Sequence, residues 1–249
     1  MNKPLVSILM PAYRSPQYIK HAIDSVVNQT YGNWELIIVD DCSGDGTWEI
    51  AKMLSMQDSR IKVHQNETNI GVVKNRAKAY TLSVGDLIGH LDNDDLLERY
   101  ALEEMVRAFV QFNDVMLFYT DLAQISAEGK HQLYSESKTF DPHALHQHGW
   151  RHFGVYRRSV MNSIEGYNEK LISGCEDGDL FMQIAEKFVV VRIPKILYFY
   201  RAHPGNNSAK NKKCVSCEER MVCNYMRVWS KSANYDPITF KPLPIEVNI

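Results

Sequence analysis

The sequence predicts an α/β fold with a mostly parallel central sheet covered by helices on both faces. Short apolar runs alternate with helix-period patterns through the first half of the chain, the arrangement that builds such a sheet. The run Leu36-Ile37-Ile38-Val39 is apolar on every side, as a strand buried on both faces must be. Acid-rich segments follow directly on these runs, at the strand ends where parallel sheets bind ligands.

Residues 5–10 form the first apolar run. A helix is then expected with Ser15 as N-cap and Pro16 at its first position. Ile19, Ala22, Ile23, Val26 and Val27 follow at helical spacing and give it one buried face. After the strand at 36–39, a polar turn over 41–46 leads to a helix through Leu54. Residues 61–64 read as a weaker strand, and the next helix places Val73, Ala77 and Tyr80 on one face. Residues 87–91 read as a strand that runs into Asp92-Asn93-Asp94-Asp95. A helix with Leu102, Met105, Val106 and Phe109 inward precedes a strand over 115–119.

The second half is less regular. Residues 120–150 read as loop-rich, with His143, His146 and His148 clustered. Strands are expected over 153–156, 189–193 and 197–200, a helix over 177–186, and a last helix over 215–229. No repeat, low-complexity tract or linker divides the chain. It reads as one domain over 1–249, with a nucleotide half to about residue 120 and an acceptor half from 121 to 249 that ends in the last helix.

Composition narrows the function classes. With 249 residues, 45% hydrophobic and 23% charged, the balance is that of a soluble globular protein with a large core. A formal net charge of -2 argues against nucleic acid as a partner. The basic cluster Lys210-Asn211-Lys212-Lys213 reads as a solvated loop, with an acidic acceptor or lipid headgroup as the alternative. No apolar run approaches the ~20 residues that span a bilayer. The first apolar run is too short for a signal-peptide core. Five scattered cysteines, Cys42, Cys175, Cys214, Cys217 and Cys223, fit reduced thiols and a cytoplasmic address. Cys214, Cys217 and Cys223 supply three soft ligands, but no fourth stands at the spacing of a zinc finger.

Four groups could carry chemistry. Asp92, Asp94 and Asp95 crowd negative charge after a buried strand, and alternate carboxylates on extended chain point the same way. A magnesium or manganese ion would relieve that repulsion and could neutralise a departing diphosphate. An acidic turn at a strand end is the plainer alternative. Asp40 and Asp41 end another buried run, where a carboxylate can accept from the ring N–H of uracil, which cytosine lacks. The plainer alternative is that Ser43 or Asp45 there only caps the next helix. Glu176, Asp177 and Asp179 open a helix, where the helix dipole favours acids, yet a carboxylate in a cleft can also draw a proton from a sugar hydroxyl. His203 follows an apolar strand, and neutral imidazole is a good ligand for manganese-type ions.

Separately these are ordinary; their order is specific. Val6-Ser7-Ile8-Leu9-Met10-Pro11-Ala12-Tyr13, Val39-Asp40-Asp41 with Ser43 and Asp45, Asn69 and Gly71 with Arg76, Asp92 with Asp94-Asp95, Glu176-Asp177, and Arg201 with His203 together resemble the family 2 glycosyltransferases over roughly residues 5 to 205. The resemblance implies the GT-A nucleotide-diphospho-sugar transferase fold and inversion at the anomeric carbon. It implies that Pro11, Ala12, Tyr13, Asp40 and Asp41 line the base and ribose pocket, and that Arg76, Asp92 and Asn93 contact the nucleotide. Asp94 would bind the metal, completed by His203. Asp177 would be the catalytic base and Glu176 would orient the acceptor or sugar. His152, in a segment similar to the acceptor side of polysaccharide-assembling members, would touch the acceptor.

The implied enzyme is a hexosyl- or N-acetylhexosaminyl-transferase that uses Mn2+ or Mg2+ and a UDP-sugar, in polysaccharide or glycoconjugate assembly. Its acceptor would be a glycan or a lipid-linked glycan, which leaves room for peripheral association at the inner face of the membrane. Gly178 stands where many relatives carry an aromatic residue, and the Gln-x-x-Arg-Trp signature of processive members is absent, which argues for adding one sugar or a few. A sugar-1-phosphate nucleotidyltransferase would need a glycine-rich loop where Pro11-Ala12-Tyr13-Arg14-Ser15-Pro16 stands. A phosphatase with an Asp-x-Asp nucleophile would need a lysine motif that has no counterpart. A non-catalytic nucleotide-sugar binding module is the remaining alternative, against which Asp94, Asp177 and His203 speak.

Overall fold

The computed structural model describes residues 3–135, 153–169 and 176–206. The expected helix over 215–229, the histidine and basic clusters, and Cys175, Cys214, Cys217 and Cys223 lie outside the described residues.

The elements run β1 (Val6–Ala12), α1 (Ile19–Val27), β2 (Trp34–Asp40), α2 (Thr47–Ser55), β3 (Ile61–Gln65), α3 (Val72–Leu82), β4 (Leu87–His90), β5 (Leu96–Leu97), α4 (Ala101–Gln111), β6 (Val115–Ile125), β7 (His131–Ser135), β8 (Gly154–Arg157), a 3-10 turn (Arg158–Asn162), α5 (Glu176–Lys187) and β9 (Val189–Arg201). One sheet holds the strands in the order β3-β2-β1-β4-β8-β6-β9-β5, with β7 paired to β6. β3, β2, β1 and β4 are parallel, β8 is antiparallel to both its neighbours, and β9 is parallel to β6. The first four strands are thus all parallel, and the antiparallel β8 makes the sheet mixed.

The apolar patterns seat the helices. Ile19, Ala22, Ile23 and Val26 of α1 join Ala51 and Leu54 of α2 and Leu102, Met105 and Phe109 of α4 in one core layer. Ala79 of α3 joins Leu180, Ile184 and Ala185 of α5 in a second layer on the other face. Both faces of β1 and β2 are therefore covered, and every residue of these strands is buried.

Four expectations need correction. α1 begins at Ile19, not Pro16, because the hydroxyl of Ser15 is turned to the carbonyl of Asn93 (3.3 Å) and caps nothing. α3 buries Val73, Asn75, Arg76 and Ala79, two of them polar, while Tyr80 is only partly covered. Residues 120–135 are largely strand: β6 runs to Ile125 and pairs with β7 as a hairpin. Polar Asp121 looked like loop, but it is buried and held by Arg192 through two bonds of 2.9 and 2.8 Å. The two strands expected over 189–200 are one, β9, with a register shift that sets Asp121 opposite Ile196 after Thr120 opposite Ile193. Pro194, which has no N–H, sits inside that bulge.

One buried carboxylate ties the sheet's lower end. Glu35 accepts from Ser7 Oγ, Lys62 Nζ and the Val84 N–H, each at 2.6 Å. Burial pushes its carboxyl up, but these donors outweigh burial and hold it below its ordinary 4.5. A depressed acid stabilises the fold above its unfolded value and loses that contribution as pH falls through its folded value. Glu35→Gln is therefore expected to flatten the fall in urea midpoint between neutral pH and about pH 3. An unchanged slope would remove Glu35 from that account.

α5 lies close to β8 because Gly154 lacks a side chain. A Cβ there would stand 2.4 Å from the ring of Phe181, which is itself buried. Gly154→Ala is expected to cost about 1–3 kcal/mol, the usual penalty of overpacking, read as a lower denaturation midpoint.

Candidate active site

Strand order reverses at β1: β2 and β3 lie on one side and β4 on the other. Open α/β sheets bind ligands at such a reversal, beyond the strands' carboxyl ends. There β1 delivers Pro11, Ala12 and Tyr13, β2 delivers Asp40 and Asp41, and β4 delivers Asp92 to Asp95.

Pro11 and Ala12 are buried, while the ring of Tyr13 is exposed with the Arg14 guanidinium 5.1 Å from its centre. Arg14 and Cys42 both take positive φ, 49° and 59°. Such strain in non-glycine residues is tolerated where surroundings enforce it, and it concentrates at functional sites. The Arg14 N–H donates to Ser43 Oγ (3.0 Å), and Ser43 in turn bonds Asp40.

Asp40 and Asp41 are buried and occupied. Asp40 accepts from Ser43 and from Gln65 Nε2 (3.0 Å). Asp41 accepts from Asn66 Nδ2 (2.8 Å) and from the N–H groups of Ile70 and Gly71 (2.9 Å each). Asn66 also donates to Asn75, which donates to the Val39 carbonyl. Asp41 thereby fixes the loop entering α3, where Gly71 takes φ 86°. Asp45 accepts from the Thr47 N–H (3.1 Å) at the start of α2, so the capping alternative holds for Asp45.

Arg76 is the hub. Its Nη2 donates to Asp92 (2.7 Å) and to Glu176 (3.2 Å), joining the loop after β4 to the first turn of α5. Arg76 and Glu176 are buried, and Arg76 Nε and Nη1 and Glu176 Oε2 have no hydrogen-bond partner among the described residues. Burial pushes Glu176 up, opposed by Arg76 and reinforced by Asp177 and Asp92. Asp177 follows on α5, half-buried, with its Oδ1 accepting the Gly178 N–H (2.7 Å). Its charge also acts on Arg76, so Asp92, Glu176 and Asp177 surround one guanidinium.

The next two acids bond a second set of partners. Asp94 Oδ2 lies 2.9 Å from His203 Nε2 and 3.4 Å from Asn206 Nδ2. Burial and the neighbouring Asp92 push Asp94 up, and His203 opposes them. Asp95 is fully buried, accepts from Tyr198 OH (2.6 Å) and the Arg201 N–H (2.7 Å), and is pushed well above the usual carboxylate range by burial. Arg201 donates from Nε to the Asp94 carbonyl (2.8 Å) and from Nη1 to the Ala127 carbonyl (2.8 Å). The ring of Tyr18 lies 4.6 Å from that of His203.

Asp92, Glu176 and Asp177 thus gather around Arg76, and the Asp94–His203 pair lies next to them through Asp92. Asn93 lies on the same loop, its carbonyl bonded by Ser15. His152 lies outside the described residues. Sequence reasoning missed Asn206, Tyr198 and the fixing role of Arg201, because they act through loop geometry that no spacing encodes. Among the described residues no three His, Cys, Asp or Glu side chains form a ready metal cluster. No described helix is long and apolar enough to cross a membrane.

The chain is similar in sequence and fold to known proteins. Residues 7–164 match the family model described as glycosyl transferase family 2. A chondroitin synthase of Escherichia coli is 31% identical over 246 residues, covering 95% of this chain and 35% of its own length. The chain spans about a quarter to a third of the length of the curated relatives it matches first. Among solved structures, S. aureus TarS 1-349 in complex with UDP-GlcNAc superposes with a TM-score of 0.76 at 19% identity, over 94% of this chain and 69% of that one. A mannosyltransferase from Pyrobaculum calidifontis, in complex with GDP-Man and Mn2+, gives 0.64 at 16% identity, over 93% and 64%.

Proposed function

The chain belongs to glycosyl transferase family 2, and on that premise we propose that it moves a sugar from a UDP-sugar to an acceptor hydroxyl with inversion. Its architecture is the GT-A fold. The observation that carries the proposal is Arg76, whose one guanidinium bonds both Asp92 after β4 and Glu176 at the start of α5.

In this reading Asp177 takes the proton from the acceptor hydroxyl as its oxygen attacks the anomeric carbon. The bond to the nucleoside diphosphate breaks on the opposite face, so no protein nucleophile is needed. Glu176 orients the acceptor or sugar through its unpaired Oε2. Arg76 and Asp92 fix the nucleotide side of the reaction centre. Tyr13, exposed after buried Pro11 and Ala12, offers a face for the base, and Asn93, half-buried on the loop after β4, lies on the nucleotide side. Asp40 and Asp41, their carboxylates occupied, shape the pocket by holding Ser43 and the 66–71 loop, and Asp41 keeps lone-pair capacity for a uracil N–H. His152 remains the acceptor-side candidate. Residues to about 120 form the nucleotide half of one domain, and those beyond form the acceptor half.

The residues present fit a divalent cation. A half-buried carboxylate crowded by Asp92 and only partly offset by His203 favours positive charge, and its oxygen stands beside an imidazole nitrogen. Asp94 and His203 would hold Mn2+ or Mg2+, with diphosphate oxygens and water in the other positions, as these ions commonly bind. When bound, the ion would neutralise charge on the departing diphosphate. The mannosyltransferase with GDP-Man and Mn2+ supports that reading, and TarS with UDP-GlcNAc supports the uridine donor.

The chondroitin synthase relative supports a place in polysaccharide or glycoconjugate assembly, with a hexose or N-acetylhexosamine as the group moved. A lipid-linked acceptor would bring the chain to the inner face of a membrane. A panel of nucleotide sugars with manganese, scored for released nucleotide with and without glycan acceptors, tests the proposal. Acceptor-stimulated UDP release is the expected result; release from no donor would overturn it and favour a binding module.

A further inference from the structure

We propose that His90 is a positioning residue, its ring setting the height of the first turn of α5 and so the separation of Asp177 from the acids that follow β4. His90 ends β4 two residues before Asp92 and is 2% exposed. Its Nε2 lies 2.8 Å from Tyr167 OH, which lies 3.0 Å from Tyr156 OH. Its face stacks on Phe181 of α5, with centroids 5.7 Å apart and planes 18° apart, and its edge meets Tyr156 of β8 at 85°. One imidazole therefore touches β4, β8, α5 and the segment leading to α5.

The geometry makes that contact a spacer. Phe181 lies five residues past Glu176, about 7.5 Å along a helix rising 1.5 Å per residue. Phe181 also meets Gly154, where an added methyl carbon would stand 2.4 Å from the ring. The ring of Phe181 thus packs against both β8 and His90, and these two contacts set how closely α5 approaches the sheet. Arg76 ties the first turn to Asp92 but leaves Glu176 free to pivot about a single bond of 3.2 Å. His90 and Phe181 remove that freedom. The hydrogen bond between Tyr167 and His90 matters because it fixes the plane of the imidazole, and with it the plane of the stack. Gln183 strengthens the same region by bonding the N–H and carbonyl of Gly166, next to Tyr167.

The effect on turnover rests on the transferase reading above, whereas the effect on α5 does not. His90→Ala is expected to lower kcat about tenfold to a hundredfold, since a misplacement near 1 Å costs about 10²-fold. Donor Kd by calorimetry should change less than about twofold, because uniform binding is untouched. Amide exchange over residues 176–181 should quicken in the protein without substrate. A purely structural role would lower the melting midpoint but leave kcat unchanged well below it. Tyr167→Phe should lower kcat less, and add nothing in the His90→Ala background. Should His90→Ala not fold, His90→Phe replaces it, with an equal loss expected for His90→Phe, Tyr167→Phe and the double variant.

A folded His90→Ala with wild-type kcat and exchange would overturn the proposal, as would independent, additive losses from the two positions. If the wild-type protein transfers no sugar from any nucleotide sugar, the functional reading fails, and exchange alone still judges His90.

Discussion

Asp177→Asn is expected to lower turnover by about 10²-fold or more, the range a positioned general base contributes. The substitution removes one proton-accepting oxygen and little else. Asn retains an Oδ1 that can accept the Gly178 N–H, so the start of α5 keeps its local bond. Arg76 keeps Asp92 and Glu176 as partners, so the cleft keeps its frame. Nucleotide affinity should therefore survive, and the loss should fall in kcat at saturating donor and acceptor. Initial rates with the donor found in the nucleotide-sugar panel, beside UDP calorimetry, separate the two. Near-native transfer by Asp177→Asn would move the base elsewhere, with Glu176 the next carboxylate in line.

Asp94→Ala is expected to abolish the manganese dependence of UDP binding, with affinity in manganese falling about 10²-fold. Changes in the outer shell alone commonly cost 10–100-fold in metal affinity, and loss of a ligand should cost at least as much. The variant should stay folded. Arg201 bonds the carbonyl of residue 94, not its side chain, and Asp95 keeps Tyr198 and the Arg201 N–H. A carboxylate pushed up by burial and by Asp92 is a burden on the fold, so its removal should leave the melting midpoint unchanged or raised. UDP binding that is equally tight with and without manganese in both proteins would defeat the assignment.

The sequence disclosed the first half of the chain in detail because burial there is written in apolar periodicity. β1, β2, α1 and α4 carry uninterrupted runs or clean helical faces, and their predicted inward residues are inward, Val27 excepted. The signal fades where buried groups are polar. α3 turns Asn75 and Arg76 inward, and a count of apolar positions puts Ala77 and Tyr80 there instead. β6 buries Thr120 and Asp121, which read as loop until Arg192 is seen beside Asp121. The acids of the cleft were legible through motif order, since each follows a strand or opens a helix. What they bond was not. The occupied lone pairs of Asp40 and Asp41, the pairing of Asp94 with Asn206, and the His90 stack all depend on segments far apart in the chain.

Arg201 makes the two sides of the cleft answer to each other. One guanidinium grips the backbone of Asp94 and, with its other arm, the turn of the hairpin at Ala127. Lysine would keep the charge yet lack the rigid fork that reaches both carbonyls. Rebuilding that hairpin would therefore tug on the loop after β4 as well, so grafted loops will need Arg201 and its carbonyl anchors carried along as a unit.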